Sequence, residues 1–191
     1  MPALRHLSFK DGDVLLLIGT VKGAFLARRR AAAWAFGGPY FAGQSVYAMA
    51  YDGRAGRHRV WAGAESAHFG ALLRSTDDFG RKWTEPKEAT LRFPKDTGLA
   101  LERIWQILPG RESEPAVLYC GVAPAALFVS QDNGHTWGLV RGLHDHPHRV
   151  RWNPGGGRRG CHRPSRGPTG QGSMGPRWPT PPRAGGPGRL P

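Results

Sequence analysis

The chain has 191 residues and a formal charge of +13, from 27 Lys and Arg against 14 Asp and Glu. That length holds one domain with a real core and not two, while the charge first suggests a nucleic-acid or membrane-surface partner. The location of the charge removes that suggestion: residues 153–191 hold seven Arg and no Asp, Glu or Lys, which leaves 20 basic against 14 acidic residues, +6, in the first 152.

Residues 1–13, "MPALRHLSFKDGD", form a lead-in without the apolar segment of a secretion signal. No later run approaches the ~18 apolar residues of a membrane span, so a soluble, cytoplasmic protein with no membrane partner is expected. From residue 14 the chain breaks into short segments rich in β-branched, aromatic or small apolar residues. Each is bounded by Gly, Pro, Asp or Asn. "DVLLLIGT", "GAFLARR" and "AWAFGG" come first. "VYAMAYD", "RVWAGAE", "ALLRSTD" and "KWTEP" follow, and then "IWQILPG", "AVLYCGV", "ALFVSQD" and "TWGLV". This is the signature of strands. Three, four and four strands make eleven, in units of roughly 50 residues, the pattern of four-stranded propeller blades. The expected fold is all-β: a partial β-propeller over 14–152, with blades at about 14–38, 45–88 and 103–142.

The units share a motif. "TDDFGRKW" (Thr76 to Trp83) and "SQDNGHTW" (Ser130 to Trp137) both read [Ser/Thr]-x-Asp-x-Gly-x-x-Trp, with the tryptophans 54 residues apart. Trp34 lies 49 residues before Trp83, but the hydroxyl, Asp and Gly columns there hold Ala27, Arg29 and Ala31. The spacing has a physical reason. Gly80 and Gly134 supply the positive φ of a tight reversal. Asp78 and Asp132, with Thr76 and Ser130, accept hydrogen bonds from the turn's own amides. Trp83 and Trp137 then return as apolar anchors between sheets. Thr136 completes the second copy. These residues are read as structural, not catalytic.

At these positions the chain resembles the BNR/Asp-box repeat proteins, a group that includes sialidase-like and sortilin-like propellers. Within it, the likeness is strongest to bacterial glycosyl-hydrolase or exo-alpha-sialidase-like repeat proteins. It is carried by "LLIGTVKGAFL", "VYAMAYD", "STDDFGRKW", "LERIWQILPG", "LYCGVAPAALFVSQDNGHTW" and "GLHDHPHRVRWNPGGG", across about Val14 to Gly157. The resemblance implies a propeller with its ligand face opposite the boxes, and a ligand- or partner-binding role with a glycan or a protein as ligand. The alternative it implies is an exo-alpha-sialidase or other glycoside hydrolase. True sialidases carry an Arg-Ile-Pro motif; here the nearest string is Arg103-Ile104-Trp105. The propeller it implies is truncated, so self-association through open blade edges is expected.

On the ligand face the resemblance would collect His68, Arg103, Asp145, His146 and Arg149, with Lys22, Tyr40 and His148 nearby. Glu65 and Glu102 are weak candidates for a catalytic carboxylate pair. "HDHPHR" has three imidazoles in five residues, a spacing common in loops without a metal. No metal and no cofactor is expected. Two cysteines, Cys120 and Cys161, give no disulfide framework, and Cys120 reads as a small buried residue. Residues 153–191 contain 11 Gly, 9 Pro and 7 Arg, a composition that is read as disordered. It is either a flexible basic tail or, the favoured reading, the product of a frame slip near Gly157. Its arginines imply no specific nucleic-acid partner.

Overall fold

The structure is a computed structural model that describes residues 6–66, 70–84 and 90–151. His68 and the segment 153–191, on which the sequence places expectations, lie outside the described residues. The fold is all-β, built from three antiparallel sheets that do not close on themselves. The first holds β1 (Val14–Thr20), β2 (Gly23–Arg30) and β3 (Ala33–Tyr40). The second holds β4 (Ser45–Asp52), β5 (Arg59–Ser66) and β6 (Gly70–Thr76). The third holds β7 (Arg103–Pro109), β8 (Leu118–Ala123), β9 (Ala126–Ser130) and a two-residue β10 (Gly138–Leu139). Strands pair in sequence order within each sheet. A short helix α1 (Arg141–His144) follows.

Ten strands are described where the sequence suggests eleven. The difference is "KWTEP": Lys82–Thr84 form no strand, and residues 85–89 lie outside the description. The Thr84 amide does donate to the Ser75 carbonyl at 2.8 Å. The Ser75 amide, however, is taken by the Thr84 hydroxyl at 2.8 Å. A side-chain oxygen thus stands where a ladder needs a backbone carbonyl, and Lys82–Thr84 form no ladder.

Alternation along each strand sends side chains to opposite faces, and the buried faces form two cores. Leu26, Tyr40, Val46, Val60, Ala62 and Ala64 fill the space between the first and second sheets, with Leu7 from the lead-in and Leu15, Leu17 and Trp83 packed against them. Trp61, Leu73, Ile104, Ile107, Cys120 and Phe128 do the same between the second and third. Leu91 and Phe93 from the connecting segment join this core, and Trp137 packs against it. The sheets approach closely at two glycines. A methyl on Gly19 would stand 2.5 Å from the Val46 carbonyl oxygen, and one on Gly63 would stand 2.8 Å from Ile104 Cβ. Neither position has room for any side chain.

The two boxes use one hydrogen-bond scheme. Thr76 Oγ1 donates to Asp78 Oδ1 (2.7 Å) and accepts from the Gly80 amide (3.0 Å), while Asp78 Oδ1 also accepts from the Lys82 amide (2.9 Å). Ser130 Oγ donates to Asp132 Oδ1 (2.8 Å) and accepts from the Gly134 amide (2.8 Å), and Asp132 accepts from the Thr136 amide (2.9 Å) and hydroxyl (2.5 Å). Gly80 and Gly134 have φ of +90° and +85°. The Thr136 hydroxyl and amide, with Ser130, hold the Asp132 carboxyl down to about 2. Each box leans on the sheet before it. Trp83 meets Tyr40 and Phe41 at ring separations of 5.6 and 4.7 Å, and Gly134 lies against the ring of Trp61.

Charged groups tie the second sheet to the third. Arg54 (4% exposed) grips the carboxylate of Asp52 (3% exposed) through Nε and Nη2, at 2.7 and 2.8 Å. Its Nη1 donates to the carbonyls of Glu114 and Val117, both at 2.9 Å. Burial pushes the Asp52 carboxyl up, yet the Arg54 hydrogen bonds and charge outweigh it and leave the group below its ordinary value. Arg57 reaches Asn133 Oδ1 and the Pro115 carbonyl.

Candidate functional site

At the end of the third sheet away from its box, the β8–β9 turn, α1 and the segment after it line an open cleft of about 490 Å³. Leu99, Pro124 and Ala125 give it an apolar side. His144, Asp145, His146, Pro147 and Arg149 give it a polar one. The chain arrives there because β10 is only two residues long. The Val140 amide still donates to the Leu127 carbonyl, and the backbone then turns into α1 with the amides of Leu143 and His144 bonded to the Val140 carbonyl. Arg149 closes the rim by donating to the Ala125 carbonyl at 2.8 Å.

His144 Nδ1 lies 2.7 Å from Asp145 Oδ1. That hydrogen bond, with the charges of Arg141 and Arg149, lowers the Asp145 carboxyl below its ordinary range. His144 Nε2 is buried without a hydrogen-bond partner among the described residues. The His146 and His148 rings meet edge to face at 5.2 Å, and the His148 amide donates to His146 Nδ1. Among the described residues no group of three His, Cys, Asp or Glu could hold a metal ion. The cleft offers a carboxylate, imidazoles and a guanidinium against an apolar wall, which suits hydrogen bonding to a small polar ligand.

Three sequence candidates, Asp145, His146 and Arg149, therefore meet in this cleft. Arg103 does not line it. It opens β7 opposite Ala123, one residue before the cleft's Pro124, and its guanidinium is held by Glu65 at 2.8 and 3.3 Å. Glu65, one of the two weak catalytic candidates, is thereby engaged in an ion pair. The other, Glu102, donates its amide to the Ala123 carbonyl. Tyr40 belongs elsewhere: its ring is buried against Gly80 and Trp83 because the first sheet needs an aromatic there to receive the box.

Two residues were missed. Tyr47 and Trp105 sit at the register shifts of β4 (Val46/Ala48) and β7 (Ile104/Gln106). A bulge of this kind expels one residue from the ladder and re-aims it. Arg103 lies over both rings, 4.5 Å from Tyr47 and 5.0 Å from Trp105. The available signal was the alignment of "VYAMAYD" with "IWQILPG", which puts an aromatic in the same column twice.

No family model matches the chain, and no curated protein matches it. No helix among the described residues is long and apolar enough to cross a membrane.

Proposed function

We propose that the chain is an Asp-box repeat propeller protein, related to glycosyl-hydrolase-like propellers, that binds a glycan or a protein ligand in the cleft beside Asp145, His146 and Arg149. One observation carries this reading. Two boxes 54 residues apart share the same side-chain-to-amide bonds, each box leaning on the sheet before it. Such a frame leaves the box-distal ends of the strands to bear the connecting loops, and the cleft lies at that end of the third sheet. Binding is favoured over hydrolysis because the described residues that line the cleft include one carboxylate, Asp145, and no tyrosine, whereas a glycosidase needs two carboxylates or a tyrosine nucleophile.

The test is a screen of immobilised neutral and acidic oligosaccharides, followed by titration calorimetry on any that bind. Asp145→Asn and Arg149→Ala should each weaken binding about tenfold or more, the usual effect of losing a charged hydrogen-bond partner. A chromogenic glycoside of the same sugar should show no turnover. Saturable turnover, or binding indifferent to both substitutions, refutes the reading.

A further inference from the structure

The three tryptophans of the repeated column meet different fates. Trp83 packs back on the first sheet and Trp137 into the core between the second and third. Trp34 has no sheet before it among the described residues and is 46% exposed. Its neighbours share that fate. The pairings Val14–Arg29–Trp34 and Leu16–Ala27–Phe36 put these residues on one face, where Phe36 is 54% exposed and Val14 and Leu16 are exposed as well. A contiguous apolar face marks an interaction surface. At the other end of the stack, the third sheet turns Leu108, Tyr119 and Val129 in one row, and Gln106, Gly121 and Leu127 in the next, away from the second sheet. None of these belongs to either core.

We propose that these two faces are the halves of one contact, and that the occupant of each is a second copy of this chain, joined head to tail. The stack makes this contact twice already, sheet one to sheet two and sheet two to sheet three. In both, the later sheet sets a box-column tryptophan against the earlier one. In both, a glycine of the earlier sheet, Gly19 or Gly63, receives the next strand, and Gly121 holds that column in the third sheet. Charge agrees with this pairing. Inside the chain, the hairpin after β4 meets the box of the following sheet through Arg57 and Arg59 to Asn133. The corresponding loop of the third sheet, 110–117, exposes Glu112 and Glu114 against a single base, Arg111. Next to the corresponding turn of the first sheet, Arg30 is paired with Asp13, and the exposed Arg29 of β2 lies with its guanidinium 5.9 Å over Trp34. Head-to-tail docking brings those acids to that base. The chain's own segment 153–191 is a poor rival occupant, with Trp178 as its single aromatic and no Val or Ile. Because the two faces differ, the contact is heterologous and adds copies until a ring closes or a fibre grows. This inference needs only the stacked sheets and not the ligand reading.

The experiment is sedimentation velocity on the full chain over about a hundredfold concentration range. The wild-type mass should climb with concentration. Phe36→Lys spoils only the first-sheet face and Leu127→Lys only the third-sheet face, so each alone should stay monomeric. Mixed in equal amounts, they should form a one-to-one pair that grows no further, since each supplies the face the other lacks. Tyr119→Lys replaces Leu127→Lys if the latter loses its β circular dichroism. A wild type that stays monomeric throughout, a variant that associates like wild type, or a mixture that stays monomeric overturns the proposal.

Discussion

Arg54→Leu probes the tie between the second and third sheets. The substitution leaves Asp52, 3% exposed, without its bidentate partner, and removes a donor from the Glu114 and Val117 carbonyls. Breaking a buried pair costs about 3–5 kcal/mol, and with Arg57 Nη2 still 3.8 Å from Asp52 Oδ2 the loss should fall at the lower end, roughly 10 °C in melting temperature for a chain of this size. The sign of the pH dependence is the sharper test. In the wild type the Asp52 carboxyl lies below its ordinary value. Its stabilising contribution is therefore complete above the unfolded carboxylate pKa of ~3.9 and is lost as pH falls through the folded one. In Arg54→Leu the burial that opposes ionisation acts without those hydrogen bonds. The folded carboxyl then titrates higher than in the wild type, and protonation relieves the variant. Urea unfolding followed by tryptophan fluorescence should show the deficit shrinking between about pH 7 and pH 3, and Asp52→Asn added to Arg54→Leu should recover part of it at neutral pH. A deficit under about 1 kcal/mol, or one that ignores pH, refutes the argument.

Gly63→Ala should cost about 1–3 kcal/mol by overpacking, and Ile104→Val should not rescue it, because valine keeps the Cβ and Cγ2 atoms that the new methyl meets at 2.8 and 2.9 Å; thermal melts of the four members of the cycle decide this. Ser130→Ala removes the acceptor of the Gly134 amide from a buried site and should lower stability by about 1–3 kcal/mol, whereas Thr76→Ser keeps the hydroxyl, loses one buried methyl and should cost about 1 kcal/mol or less in the same assay. Trp137→Ala should cost about 3–5 kcal/mol and Trp34→Ala little, when both are unfolded at concentrations too low for association. The Asp132 carboxyl, held at about 2, contributes stability that is present above the unfolded carboxylate value and lost as pH falls toward 2. Asp132→Asn should therefore flatten the acid limb of the stability curve.

Strand positions were legible because the apolar segments are short and each ends at a Gly, Pro, Asp or Asn, and β1, β2 and β5 fall within a residue or so of their expected bounds. In the expected fourth strand of the middle unit, the described residues Lys82–Thr84 form no ladder because the Thr84 hydroxyl competes for the Ser75 amide, a contest that composition does not display. The site was harder to read. Asp145, His146 and Arg149 lie within five residues of one another, so their convergence needed little from the fold. Arg103 and Glu65 are 38 residues apart, and their mutual grip follows from the stacking of β7 on the second sheet. Tyr47 and Trp105 depend on bulges, and a bulge is a property of pairing rather than of either strand alone.

Cys120 sits fully buried on β8, opposite Ile107 and Phe128, in the core between the second and third sheets. A thiol reagent reaches that sulfur only when those layers part. With Cys161 changed to serine, the rate of labelling becomes a clock for that opening alone, one that a ligand in the cleft beside the third sheet would slow without touching the sulfur.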